Sequence, residues 1–431
     1  MEGANTSFAP EEPPAEWWKL FDSPVLDRLV TEALAANTDL RMAAANLERA
    51  RAALSETRSA RFPSTTLAGG ASYGRQSGSV AGTPGAGPEG ETYDAGVDVS
   101  YEIDLFGRIR RGIEASRADL GAVQASYDLA RVAVAAETAR AYADACSSGR
   151  RLVVARESLR VQQETFDLTR RRGEGGRGTA LDTSRAAALL EQVRADVPGL
   201  EAERKSALFR LAVLTGKPPA EFPREVAGCE TVPVMGRAIP VGDGAGLLAR
   251  RPDIREAERR LAAATARVGV ATAELYPSVT LGGSVGSTAV SADDMFTDRG
   301  FRFGIGPLIS WNFPNIAAAR ARVRQAEAGA DAALAGFDGA WLRALEETES
   351  ALVRYAAERE RVAILRRGRG EAVEAARIAR LRYQAGAEDF QIVLDAERSL
   401  ASAEAQLAAS EAALAERTVA LFLSLGGGWQ N

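Results

Sequence analysis

The sequence predicts a mixed α and β membrane protein built as a tandem repeat, in which β-hairpins alternate with very long helices. Three observations predict it: an order of segments that recurs about every 210 residues, two pairs of alternating apolar and polar stretches, and two long proline-free stretches.

The repeat comes first because it decides the architecture. "LRMAAANLERARAALSETRSARFPSTTLAGG" from Leu40 parallels "IREAERRLAAATARVGVATAELYPSVTLGGS" from Ile254, pairing Asp39 with Asp253 and Pro63 with Pro277. Farther along the offset falls by four residues and then holds, matching Glu137 and Thr138 with Glu347 and Thr348, and "LAVLTG" at 211 with "LFLSLG" at 421. The difference falls in a polar, Gly-rich loop, where length changes are tolerated.

Each copy opens with a helix, about residues 39–61 in the first, and continues into a hairpin. In "ETYDAGVDVSYEIDLFG" the odd positions from Tyr93 to Leu105 are mostly apolar, and the even ones include Asp94, Asp98, Glu102 and Asp104. Such period-two alternation is a two-faced strand. The expected strands are 64–75 and 92–105, then 278–289 and 301–313, the last bearing Phe301, Phe303, Ile305, Ile309, Trp311 and Phe313 on one side.

No proline separates Pro88 from Pro198 or follows Pro314, and both stretches are rich in Ala, Arg, Glu and Leu. A helix over 108–172 would run about 97 Å. Ala145, Leu152, Leu159 and Phe166 fall seven apart, and Trp341, Leu345, Leu352 and Tyr355 share helical spacing, so these helices expect neighbours along their length. The turns "RRRGEGGRGT" and "LRYQAGAED" send the chain back through helices of about 180–215 and 389–425. "GEGGRG" satisfies GxGxxG, yet helix precedes it and no lysine follows, so it reads as a helix-to-helix turn and not as a phosphate loop.

Composition excludes several function classes. The 431 residues are 46% apolar, enough to fold, and 53 basic against 58 acidic residues, spread evenly, leave no nucleic-acid footprint. With no histidine, the commonest general base and metal ligand is missing, and no catalytic, metal or cofactor site emerges. Cys146 and Cys229 lie far apart without a CxxC spacing; they read first as two unpaired small hydrophobes and second as a single bridge. No apolar run reaches transmembrane-helix length, and "MEGANTSFAP" has no export signal, which alone says soluble and also fits a trimmed chain.

Alternation alone favours a soluble sheet packed on its own helices. The helix lengths reverse that weighing, because a soluble sandwich has no use for them. Four strands left open would expose edges and an apolar face, whereas three chains would supply twelve strands and close a barrel with the odd-numbered side chains in lipid and the carboxylates in a water-filled lumen. Tyr73, Tyr93, Tyr101, Phe106, Trp311 and Phe313 lie toward strand ends, where aromatic girdles are expected. The acidic face then predicts a lumen that favours cations. The rival from another class is a soluble coiled-coil scaffold.

"YEIDLFGRIRRGIEASRADL", "LLARRPDIREAERRLAAATARVGVATAELYPSVTLGGSVG", "FGIGPLISWNFPN" and "YQAGAEDFQIVLDAERSLASAEAQLA" carry a resemblance. Across most of residues 16–426 the chain resembles the TolC-like outer-membrane efflux channels, in the branch that works with resistance-nodulation-division pumps. The resemblance implies a homotrimer with a twelve-stranded transmembrane β-barrel continued by a twelve-helix α-barrel, docking a periplasmic adaptor and an inner-membrane pump, and catalysing nothing. It implies an outer-membrane exit duct for drugs, toxic compounds or metal ions, the alternative being a type I secretion channel. The parts would be an N-terminal segment and equatorial helix (1–38), the first repeat (39–216), an equatorial linker (217–247), the second repeat (248–426) and a tail.

In that family the helix tips form a gate. Carried over by position, Tyr383 is the tip tyrosine, Asp395 the constriction aspartate and Arg398 the arginine one turn beyond, with Asp182 and Arg185 at comparable places in the first copy. Gln391 replaces an apolar residue, and Gly173 replaces the first copy's tyrosine. Arg170, Arg171, Arg172 and Arg177 are the expected adaptor contacts. Spacing alone would read each of these as a solvated helix face with local ion pairing. The first residues of the sequence do not contain the lipid-modified cysteine common in the branch.

Overall fold

The computed structural model describes residues 8–75, 77, 89–176, 178–243, 246, 250–311, 313 and 316–428. In chain order it contains α1 (Pro24–Ala36), α2 (Thr38–Ser59), β1 (Ser64–Arg75), β2 (Glu89–Ile103), α3 (Arg108–Glu174), α4 (Ala180–Leu214), α5 (Pro252–Ala273), β3 (Ser278–Ala289), β4 (Phe301–Ser310), α6 (Ile316–Gln384) and α7 (Phe390–Ser424). Two compact units result, and both repeats contribute to each: one spans 46–124 and 256–338, the other the remaining residues. Among the described residues no helix is long and apolar enough to cross a membrane.

The first unit is built on an antiparallel sheet of order β1-β2-β3-β4. Its register sets Leu67, Val97, Val285 and Phe303 in one row, and Thr65, Val99, Gly283 and Ile305 in the next. The odd-numbered residues of all four strands therefore share a face, as alternation requires. That face is bare: Leu67 and Ile305 are each 80% exposed and Phe303 76%. β1 and β4 have no outer partner strand among the described residues. Leu54 of α2 and Ile109 and Ile113 of α3 form a small core in the same unit.

The expected strand ends at Leu105 and Phe313 overshoot. β2 stops at Ile103 because Asp104 leaves the ladder to cap α3, its carboxylate accepting from the amides of Ile109 (3.1 Å) and Arg110 (2.9 Å). β4 stops at Ser310, and the Trp311 indole donates to the Leu275 carbonyl at 3.3 Å.

The second unit is helical, with a core in which Trp17 stacks on Phe422 at 4.8 Å and packs with Leu26, Leu29, Leu211 and Leu421. Buried alanines at 135, 136, 139, 141 and 145 give α3 a shallow surface that admits close neighbours. The repeat is visible in atomic detail. Arg156 pairs with Glu201 between α3 and α4, and Arg366 pairs with Glu411 between α6 and α7. Asn37 donates from its side chain to the Leu214 carbonyl at the end of α4, and at the matched place Arg251 donates to the Ser424 carbonyl at the end of α7. The carbonyls at each return-helix end, which no intrahelical donor reaches, are thus answered by the residue just before α2 in one copy and just before α5 in the other.

Cys146 and Cys229 are bridged, which corrects the reading as two unpaired hydrophobes. The bridge pins the segment after α4 across α3, where Gly149 leaves no room for a side chain: a Cβ there would collide with the Cys229 carbonyl oxygen. Arg204 also donates to that carbonyl at 3.1 Å.

Candidate functional site

Two regions gather the candidate residues. The first is the even-numbered face of the sheet. Asp94, Asp98 and Glu102 lie on it with Thr280, Ser284 and Thr288 of β3 and Arg302 of β4. The four carboxylates are not equivalent. Asp94 accepts from Arg302 (3.0 and 3.2 Å) and from the Thr288 hydroxyl (2.6 Å). Glu102 accepts from Arg108, with Nε at 2.9 Å. Asp104 is spent on capping α3 and on Arg110, 3.3 Å away. Only Asp98 among the four has neither ion pair nor hydrogen bond from its side chain to a described residue. The acidic face read from the sequence is thus largely answered by arginine.

The second region is the pair of turns that join the helices. α3 ends at Glu174 and α4 begins at Ala180; α6 ends at Gln384 and α7 begins at Phe390. Each turn places a glycine at positive φ, Gly176 at 71° and Gly386 at 74°, where a side chain would strain the backbone. Thr179 and Asp182 close a capping box at the start of α4, so Asp182 is committed to its own helix end. The second turn starts α7 at Asp389 without a side-chain cap.

Tyr383 packs on Phe390 with ring centroids 5.4 Å apart, and the Arg172 guanidinium lies 4.1 Å from the centre of the tyrosine ring. That is cation–π contact between the two turns. Arg185 donates to the Gln391 side-chain oxygen at 3.4 Å, and Arg398 stands 3.8 Å from Asp395 one turn away. Arg170 sits over the Phe166 ring and near Asp167, while Arg171 is exposed and has no ion-pair partner among the described residues. Arg177 lies outside the described residues.

The residue that sequence reading missed is Glu397. Its side chain is 2% exposed, accepts from Arg380 at 2.9 Å and from the Thr165 hydroxyl at 3.0 Å, and so ties α3, α6 and α7 just inside the tips. A signal existed: Phe390, Val393, Leu394 and Glu397 follow one helical stripe, three of them apolar and buried. A carboxylate on such a stripe needs a partner. Arg302 was likewise legible, as the lone cation at an even position of the fourth strand.

A family model described as "Outer membrane efflux protein" matches residues 29–217 and 246–427. The chain belongs to the outer membrane efflux protein family. Among its relatives is nodulation protein T of Rhizobium leguminosarum bv. trifolii, 31% identical over 96% of this chain and 88% of that protein. Outer membrane protein OprJ of Pseudomonas aeruginosa is 30% identical over 96% of this chain and 86% of its own. Among solved structures, the outer-membrane channel OprN superposes with a TM-score of 0.94 at 40% identity, covering 99% of this chain and 96% of that one. VceC of Vibrio cholerae gives 0.87 at 27% identity, over 97% and 100%. The mixed α and β architecture is that of these channels, and this family member is an outer-membrane exit duct for efflux.

Proposed function

We propose that this efflux duct works as a homotrimer in which three four-stranded sheets close one twelve-stranded barrel across the outer membrane. The observation that carries the reading is the bare apolar face beside two sheet edges that have no partner strand among the described residues. An isolated sheet with such edges would aggregate, whereas closure pairs every edge and turns the apolar rows to hydrocarbon. β1 to β4 have 10 to 15 residues each, and a tilted membrane strand needs about 9–11. The even face, with Asp94, Asp98 and Glu102, then lines water, and the long helices of the three chains supply a periplasmic α-barrel.

The helix tips are the gate and the docking end in this reading. Tyr383, Gln391, Asp395 and Arg398, with Asp182 and Arg185 from the first turn, form the closure. The exposed Arg170 and Arg171, with the half-buried Arg172 and with Arg177, meet a periplasmic adaptor that links the duct to an inner-membrane pump. Three copies of Asp395 brought close would repel unless each keeps its Arg398 partner or a cation attends them. The cargo is small molecules handed on by the pump; relatives carry names such as toluene efflux pump outer membrane protein and pyoverdine export outer membrane protein.

Cysteine-directed crosslinking from positions 171 and 174, done in cells making the pump partners, tests the docking end. Capture of an adaptor supports the reading. Crosslinks to nothing but other copies of the chain would remove the adaptor from it.

A further inference from the structure

We propose that Arg302 cancels the charge of Asp94 inside the barrel and so keeps its lumen open to anionic as well as cationic molecules. The inference rests on the barrel reading above. Arg302 is the only cation on the even face of the four strands among the described residues, while Asp94, Asp98 and Glu102 share that face. It reaches Asp94 from two strands away, because the row it belongs to is Ala68, Gly96, Gly286 and Arg302. The two glycines leave a trough for its side chain. A Cβ on Gly96 would lie 3.4 Å from the Arg302 Nη2 atom, so a side chain there would compete for the same space.

The head of Arg302 is held from two sides. Its Nε donates to the Thr288 hydroxyl at 2.9 Å, that hydroxyl donates to Asp94 at 2.6 Å, and Nη2 donates to both Asp94 oxygens. The arginine thus lies flat along the wall and does not project into the lumen as a free cation. Glu102 is answered by Arg108 at the strand base, which leaves Asp98, among the described residues, as the one unanswered carboxylate of the face in each chain. Without Arg302, each trimer would present three further carboxylates at the level of Asp94, and a ring of that kind attracts cations and repels anions.

Single-channel recording of the purified trimer in planar bilayers, with hexaamminecobalt(III) added on the hairpin side, tests the inference. Arg302→Gln is expected to lower the blocking concentration about tenfold, with no change when the cation is added on the helix-tip side. Arg302→Lys keeps the charge and is expected to behave as wild type. The double variant Asp94→Asn with Arg302→Gln removes both charges and is expected to return to within about twofold of wild type, which separates a charge effect from a general distortion of the wall. Block of the Arg302→Gln channel at the wild-type concentration, in a trimer that still conducts, would overturn the inference and leave the barrel standing. Wild-type protein that stays a monomer in detergent would overturn the barrel reading and this inference together.

Discussion

Glu397 carries a charge into the core of the tip region, and its partners come from two other helices. Removing it leaves Arg380 and Thr165 without their acceptor, and since the arginine is 38% exposed, water recovers part of the loss. Glu397→Ala should therefore cost about 1–2 kcal/mol locally, seen as faster hydrogen exchange over residues 376–400 with the sheet unaffected. Unchanged exchange there would show that the ion pair contributes nothing. Arg172 acts across the turns through the face of Tyr383, a partly exposed cation–π contact worth about 0.5–1 kcal/mol. Arg172→Ala should loosen both turns together, whereas Arg171→Ala should leave exchange as it is, because Arg171 pairs with no ring or acid among the described residues. The carboxylates of the sheet were legible as an acidic face, but their neutralisation was not. It depends on Arg302 and Arg108 reaching them through register and helix geometry that alternation does not encode.

Among the elements, the long helices were the easiest to read, since unbroken runs of strong helix formers leave no other regular structure. Pro198 sits inside α4, where its missing amide removes one intrahelical bond without ending the helix. The tip turns repeat one device, a glycine at positive φ closing each outgoing helix. Gly176→Ala and Gly386→Ala should each cost about 1–2 kcal/mol, by the same amount within error if the two copies are equivalent. A pair of unequal thermal shifts would show that the turns are loaded differently. The disulfide was the element least legible, because two cysteines 83 residues apart carry no local signal and meet only through the path of the segment after α4. In the chain-entropy picture a loop of that length is worth about 4.5 kcal/mol. Reduction, or Cys229→Ser, should lower the melting temperature of the helical unit. Gly149→Ala should do so even in the oxidised protein, by forcing the crossing segment off α3.

For the whole molecule, the proposed barrel makes association a requirement of the fold. Leu67, Val99, Val285, Phe303 and Ile305 lie bare in the single chain, and burying such surface against lipid is favourable by about 25 cal/mol per Å². The strand edges add to this, since every unpaired edge group left in hydrocarbon costs several kcal/mol. Replacing Phe303 and Ile305 together by aspartate should therefore abolish membrane insertion while leaving helix content intact by circular dichroism. Persistence of the double variant in the outer-membrane fraction would mean that this face does not meet lipid. Trimeric closure is tested most directly by the mass of the purified protein in detergent, read by native mass spectrometry. Three chains of 45.6 kDa in one particle, dependent on detergent for solubility, is the predicted result. A monomer stable in plain buffer would contradict it.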